Sequence, residues 1–167
     1  TTTVPVPTPL PGIATVKNSA GILMNQYNTI AAALVLAAGS SGWTIELTPG
    51  TYNETLDFGA GGITNLKVVA TGSAAETIIK PSGASQVSGA NITFEGITFD
   101  EATAAFTVAA TATTFNFTNC IFKNGAGTLL AITAGATPGT IDGCTFNVTG
   151  TVLVGINGGA VNTVKNS

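Results

Sequence analysis

The chain has 167 residues and a net charge of −3, and only 8% of its residues are charged: five are lysine, none is arginine and none is histidine. This balance counts against nucleic acid as a partner, because phosphate recognition leans on clustered Lys and Arg. It also rules out Ser–His and Cys–His nucleophiles and a Cys/His zinc site. With 44% apolar residues the chain can fill one continuous core, under a neutral surface of Thr, Ser, Asn, Ala and Gly that suits an extracellular assembly.

Residues 1–12 read TTTVPVPTPLPG, with four prolines. Proline cannot donate a ladder hydrogen bond, so this segment is expected to be an extended arm with Val4, Pro5, Val6 and Pro7 at its centre. It is either a disordered leader or an assembly arm that lies on a neighbouring subunit. Thr1 in place of Met suggests either a secreted chain whose signal peptide has been removed or a trimmed one. Residues 1–25 are expected to be arm and linker, and residues 26–167 a single domain. Residues 26–38, QYNTIAAALVLAA, read as a helix, with Asn28 or Thr29 as N-cap and Gly39 as stop. Its apolar residues surround most of the helix, so it should be buried or lie across the end of the domain. The longest apolar run, Ile30 to Ala38, falls well short of the roughly 18 residues of a membrane span.

From Trp43 onward short β-type runs alternate with Gly, Ser, Asn and Pro. Three segments share one shape: Phe94-Glu95-Gly96-Ile97-Thr98-Phe99-Asp100, Phe117-Thr118-Asn119-Cys120-Ile121-Phe122-Lys123 and Ile141-Asp142-Gly143-Cys144-Thr145-Phe146-Asn147. They recur at about 23-residue intervals, the signature of a solenoid. Period-2 patterning and abundant Gly and Thr make it a β-solenoid. The expected fold is an all-β, right-handed parallel β-helix of about five coils over residues 43–167, with the helix at 26–38 as N-terminal cap. Stacking places three internal columns: Phe99, Phe122 and Phe146; Phe94, Phe117 and Ile141; Ile97, Cys120 and Cys144. Gly96, Asn119 and Gly143 fall at a tight corner, where a left-handed backbone favours Gly or Asn.

Few residues offer chemistry. Asp100-Glu101 is the only adjacent acidic pair, and at the start of a loop it reads as solvated turn residues. The other carboxylates are spread one per strand or turn, which gives little basis for a Ca²⁺ site. Cys120 and Cys144 share an inward position in adjacent coils, either as free core thiols or as a disulfide. Four sequons make Asn53, Asn91, Asn116 and Asn147 candidate glycosylation sites. No catalytic residue, cofactor or metal is expected.

Tyr27-Asn28-Thr29-Ile30-Ala31-Ala32-Ala33-Leu34, then Ile45-Glu46-Leu47-Thr48-Pro49-Gly50-Thr51-Tyr52-Asn53-Glu54, are followed by Leu66-Lys67-Val68-Val69, Glu76-Thr77-Ile78-Ile79 and Ile92-Thr93-Phe94-Glu95-Gly96-Ile97-Thr98-Phe99. In order and spacing this stretch, about residues 26–100, resembles the opening of pectin methylesterases within the pectin-lyase-like β-helix superfamily. The resemblance implies that the helix caps the solenoid and that the strand-PGTY-x-E segment enters the first coil. It does not extend to activity. The family's esterases use paired Asp with Arg and Gln, its lyases use Lys or Arg with Ca²⁺ carboxylates, and this chain lacks Arg and the surrounding motifs. The expectation is a non-enzymatic, extracellular or cell-surface structural protein, a homo-oligomer or polymer that assembles into a filament, sheath or S-layer-like array through head-to-tail contacts, helix-capped end against uncapped last coil, and through the N-terminal arm. The alternatives are a glycan-binding adhesive module or a virion surface protein, with a polysaccharide-active enzyme the remotest.

Overall fold

The computed structural model describes residues 12–101, 104–123, 128–136, 139–147, 156–158 and 163–167. Short β-branched and aromatic runs, separated by sharp corners, wind the chain into a parallel β-helix with three sheets. The first sheet holds β1 (Ala14–Lys17), β2 (Leu23–Tyr27), β3 (Thr44–Leu47), β6 (Lys67–Ala70), β9 (Ala90–Glu95), β12 (Thr113–Thr118), β15 (Thr140–Asp142) and β18 (Thr163–Lys165). The second holds β4 (Gly50–Tyr52), β7 (Thr77–Ile79), β10 (Thr98–Asp100), β13 (Ile121–Lys123) and β16 (Thr145–Asn147). The third holds β5 (Asp57–Phe58), β8 (Gln86–Val87), β11 (Phe106–Val108), β14 (Leu130–Ile132) and β17 (Ile156–Gly158). The winding makes about four turns. Much of the stretch after β16, on which the expected fifth coil depends, lies outside the described residues.

Register explains the core. The inward column of the first sheet runs Val16, Ile45, Val68, Phe94, Phe117, Ile141, each beside the next across a strand pair. In the second sheet Tyr52, Ile79, Phe99, Phe122 and Phe146 stack in the same way. The aliphatic ends and aromatic middle of the first column place the rings of the two sheets in contact. Phe94 lies flat on Phe117 (5.1 Å) and edge-on to Phe99 (5.4 Å), and Phe99 lies flat on Phe122 (5.1 Å). Ile97, Cys120 and Cys144 are buried at the bend between the two sheets. The corner residues Gly96, Asn119 and Gly143 have φ of +67°, +51° and +62°, and Asn166 repeats the geometry at +51°. At Gly143 a Cβ would also meet the Asn119 Oδ1 at 2.5 Å, so any larger residue there would have to displace that amide.

The N-terminal end departs from the expected plan. Residues 12–25 are not a linker. β1 and β2 form an antiparallel hairpin, and β1 pairs antiparallel with β3. Ala14 and Val16 are fully buried against Leu47 and Ile45, so the first coil's core continues one strand beyond its own winding. The helix α1 (Ile30–Ala37) is shorter than residues 26–38, because Gln26 and Tyr27 belong to β2, paired with Thr15 and Ala14. Val4, Pro5, Val6 and Pro7 lie outside the described residues.

Two carboxylate bonds fix where the helix begins. Thr29 accepts from the Ala32 N–H as N-cap (3.3 Å), and the Glu54 carboxylate accepts from the Ile30 and Ala31 N–H groups at 2.7 and 2.9 Å. An anion at a helix N-terminus satisfies orphan donors and meets the positive end of the helix dipole. Glu54, five residues past Pro49 of the Pro-Gly-Thr-Tyr segment, thereby ties the first coil to α1. Glu54→Ala should lower stability by about 1–2 kcal/mol in urea denaturation, with Glu54→Gln losing less. An unchanged midpoint for the alanine variant would show that this cap is not holding the helix.

Candidate functional site

The acidic pair is not solvated. Asp100 and Glu101 are 6% and 1% exposed, which corrects their reading as turn residues. After Phe99 the strand alternation carries Glu101 back toward the interior. Asp100 instead sits beside Lys123 in register, with Nζ to Oδ2 at 3.6 Å. Among the described residues the Glu101 Oε1 has no hydrogen-bond partner. Burial, and secondarily the Asp100 charge, push its carboxyl up to about 8. No group of three or more His, Cys, Asp or Glu converges among the described residues.

Cys120 and Cys144 are both buried and unbridged. The Cys120 thiol lies 3.7 Å from the Phe94 carbonyl and the Cys144 thiol 3.5 Å from that of Phe117. Burial holds the Cys120 thiol well above its usual range, which leaves it inert as a nucleophile. The sequons differ among themselves. Asn53 and Asn147 are exposed. The Asn91 amide donates to the Asn65 Oδ1 (2.7 Å), and Asn65 in turn donates to the Ser41 hydroxyl (2.7 Å), an amide ladder along one corner. The Asn116 amide donates to the Thr93 hydroxyl at 3.4 Å.

What the residues assemble is a surface at the N-terminal end. Lys17 is the sole charged residue before Glu46, and it is paired with Glu46 at 2.6 Å; residues 18–45 carry no charge at all. On this end Ile13, Ile22, Leu23, Met24 and Val35 are exposed, Val35 by 77% and Ile22 by 60%. Among the described residues one other large apolar side chain is exposed: Val164, on β18 at the far end of the first sheet. Among the described residues the flanks of the solenoid carry none. No protein-family model, no curated protein and no solved structure matches the chain.

Beside α1 lies an open apolar groove of about 320 Å³, lined by Leu34 and Val35 of the helix, by Ala38 just past its end and by Leu56, Ala60 and Gly61 of the first coil. Asp57, on its wall, is held by the Gln86 amide (2.7 Å) and the Ser88 hydroxyl (2.6 Å) of the next coil. Its carboxylate is therefore committed to stacking. The sequence points to this end as one half of a head-to-tail contact but not to Ile22, Leu23 and Met24 on it, although the absence of charge over residues 18–45 is a readable signal. No described helix is long and apolar enough to cross a membrane.

Proposed function

We propose that this chain is a non-enzymatic structural subunit that joins copies of itself end to end in an extracellular filament, sheath or S-layer-like array. The observation that carries the reading is that, among the described residues, the exposed large apolar side chains lie at the N-terminal end, on β2 and α1 and beside them, and on β18 at the far end of the first sheet, with none on the flanks. Apolar surface in contact with water favours burial, and here burial can come only at an end. Contact between unlike ends is heterologous, so it propagates unless it closes into a ring. The low charge and hydroxyl-rich surface support a place outside the cell. The lack of His and Arg, together with an acidic pair buried beside a lysine, supports a role without catalysis. On this reading the likeness to pectin-lyase-like openings is one of architecture alone. Sedimentation velocity over a concentration series should show species that grow in size with concentration. A monomer at every concentration up to the millimolar range would overturn the proposal, and turnover of pectin or alginate would overturn its non-enzymatic part.

A second reading, a glycan-binding adhesive module, is favoured by one column on the outer face of the first sheet. Thr93, Asn116, Thr140 and Thr163 stand beside one another in successive strands and present hydroxyl and amide groups one coil apart. A glycan array separates the two readings: selective binding supports the module, and silence supports the structural subunit.

A further inference from the structure

We infer that β2 is the strand through which a second copy joins, by parallel pairing of its outer edge, unpaired among the described residues, with the outermost described strand at the opposite end of that copy's first sheet. The inference rests on the end-to-end reading above and names the surface that performs it.

Strand direction is the first argument. β1 runs antiparallel to β3, and β2 runs antiparallel to β1. Two reversals cancel, so β2 points the same way as β3 and every later strand of the sheet. A neighbour therefore meets at β2 the same parallel edge that each coil offers to the next. The opposite end offers the complement: β18 pairs with β15 on one side, and its other edge is unpaired among the described residues. A bulge at Met24 interrupts the β1–β2 ladder, which leaves Asn25, Gln26 and Tyr27 as the regular part of β2. Three residues suffice, since β13–β16 and β15–β18 within the solenoid are three-residue pairs.

Charge is the second argument. Isolated edge strands are usually protected by lysine, proline or an inward charge. β2 has no charged residue and no proline, Leu23 and Met24 are exposed along it, and Ile22 is exposed just before it. A charged partner would find nothing here to pair with. An apolar strand edge finds both missing hydrogen bonds and a surface to cover. Val164, exposed on β18, supplies apolar area at the complementary edge.

The test uses the full chain with Met24→Lys and Asn25→Lys, two substitutions at exposed positions, and with Thr133→Lys, at an exposed position on a coil loop, as control. Each β2 variant buries a charge if the joint forms there and should weaken association by roughly tenfold or more, with circular dichroism and thermal midpoint unchanged. Thr133→Lys should assemble as the parent does. Hydrogen exchange on the parent chain provides a second measurement: amides of residues 25–27 should gain protection as concentration rises. Assembly that proceeds undiminished in both β2 variants, with no added protection at 25–27, overturns β2 as the joint while leaving end-to-end assembly standing. A closed dimer broken by the β2 variants keeps β2 as a joint but overturns its parallel pairing and the open array. A parent chain that never associates overturns both.

Discussion

Glu101→Gln should raise stability at pH 8 by roughly 2–3 kcal/mol and flatten a decline that the parent chain shows between about pH 4.5 and 8. The carboxyl is 1% exposed and one of its oxygens has no partner among the described residues, so ionising it in place is opposed by burial first and by the Asp100 charge second. Its folded value stands at about 8 against 4.5 for the free group. Below 4.5 the group is protonated in both states and imposes no penalty. Between the two values the unfolded chain releases a proton that the folded chain retains, so stability falls as pH rises. Above 8 the folded state carries a buried charge and the penalty is complete. Glutamine has the same shape and no charge, and the unpaired amide it introduces offsets part of the gain. Other carboxylates also titrate in acid, so the quantity to measure is the difference between variant and parent in urea denaturation at pH 4.5, 6 and 8. Curves that run parallel across that range would show that Glu101 is ionised in the fold at no penalty.

Phe94→Ala should lower stability by roughly 3–5 kcal/mol, and Phe146→Ala by about 1–2 kcal/mol. Phe94 is fully buried, with Phe58, Phe99, Phe106 and Phe117 within 4.9 to 5.8 Å of its ring centroid. Coils above and below cannot collapse into the hole, because their spacing is fixed by the strand ladders. Phe146 is only partly buried, and its one ring neighbour among the described residues is Phe122, at 5.1 Å. For a chain of this size the Phe94 loss corresponds to a fall of about 10 °C in Tm. Each repeat contacts only its neighbours, so Phe94→Ala should also broaden the transition by uncoupling the coils on either side. Equal effects for the two variants would contradict a core graded from the middle of the winding to its end.

The winding was legible because a coil repeats its own environment. Phe99, Phe122 and Phe146 recur because each must cover the last, and Gly96, Asn119 and Gly143 recur because one corner recurs. The residues that break the repeat were harder to read. Ala14–Lys17 is four residues of alternation behind a proline-rich segment, and only its pairing with β3 makes it a strand. Glu54 caps a helix 24 residues upstream, a contact that local pattern does not encode. Glu101 looked like a turn acid because its burial depends on strand alternation continuing past Phe99. The exposed apolar residues of the end surface, Ile22, Leu23 and Met24, are hard to read because that surface is marked by charge it lacks rather than by a motif it contains.

Diffraction from oriented assemblies of the concentrated protein tests end-to-end joining most directly. Copies joined through β2 continue the stacking of strands across each junction, so the strand spacing of about 4.8 Å should fall along the filament axis. Filaments in which that spacing lies across the axis, or concentrated protein that forms no ordered assembly, would contradict it.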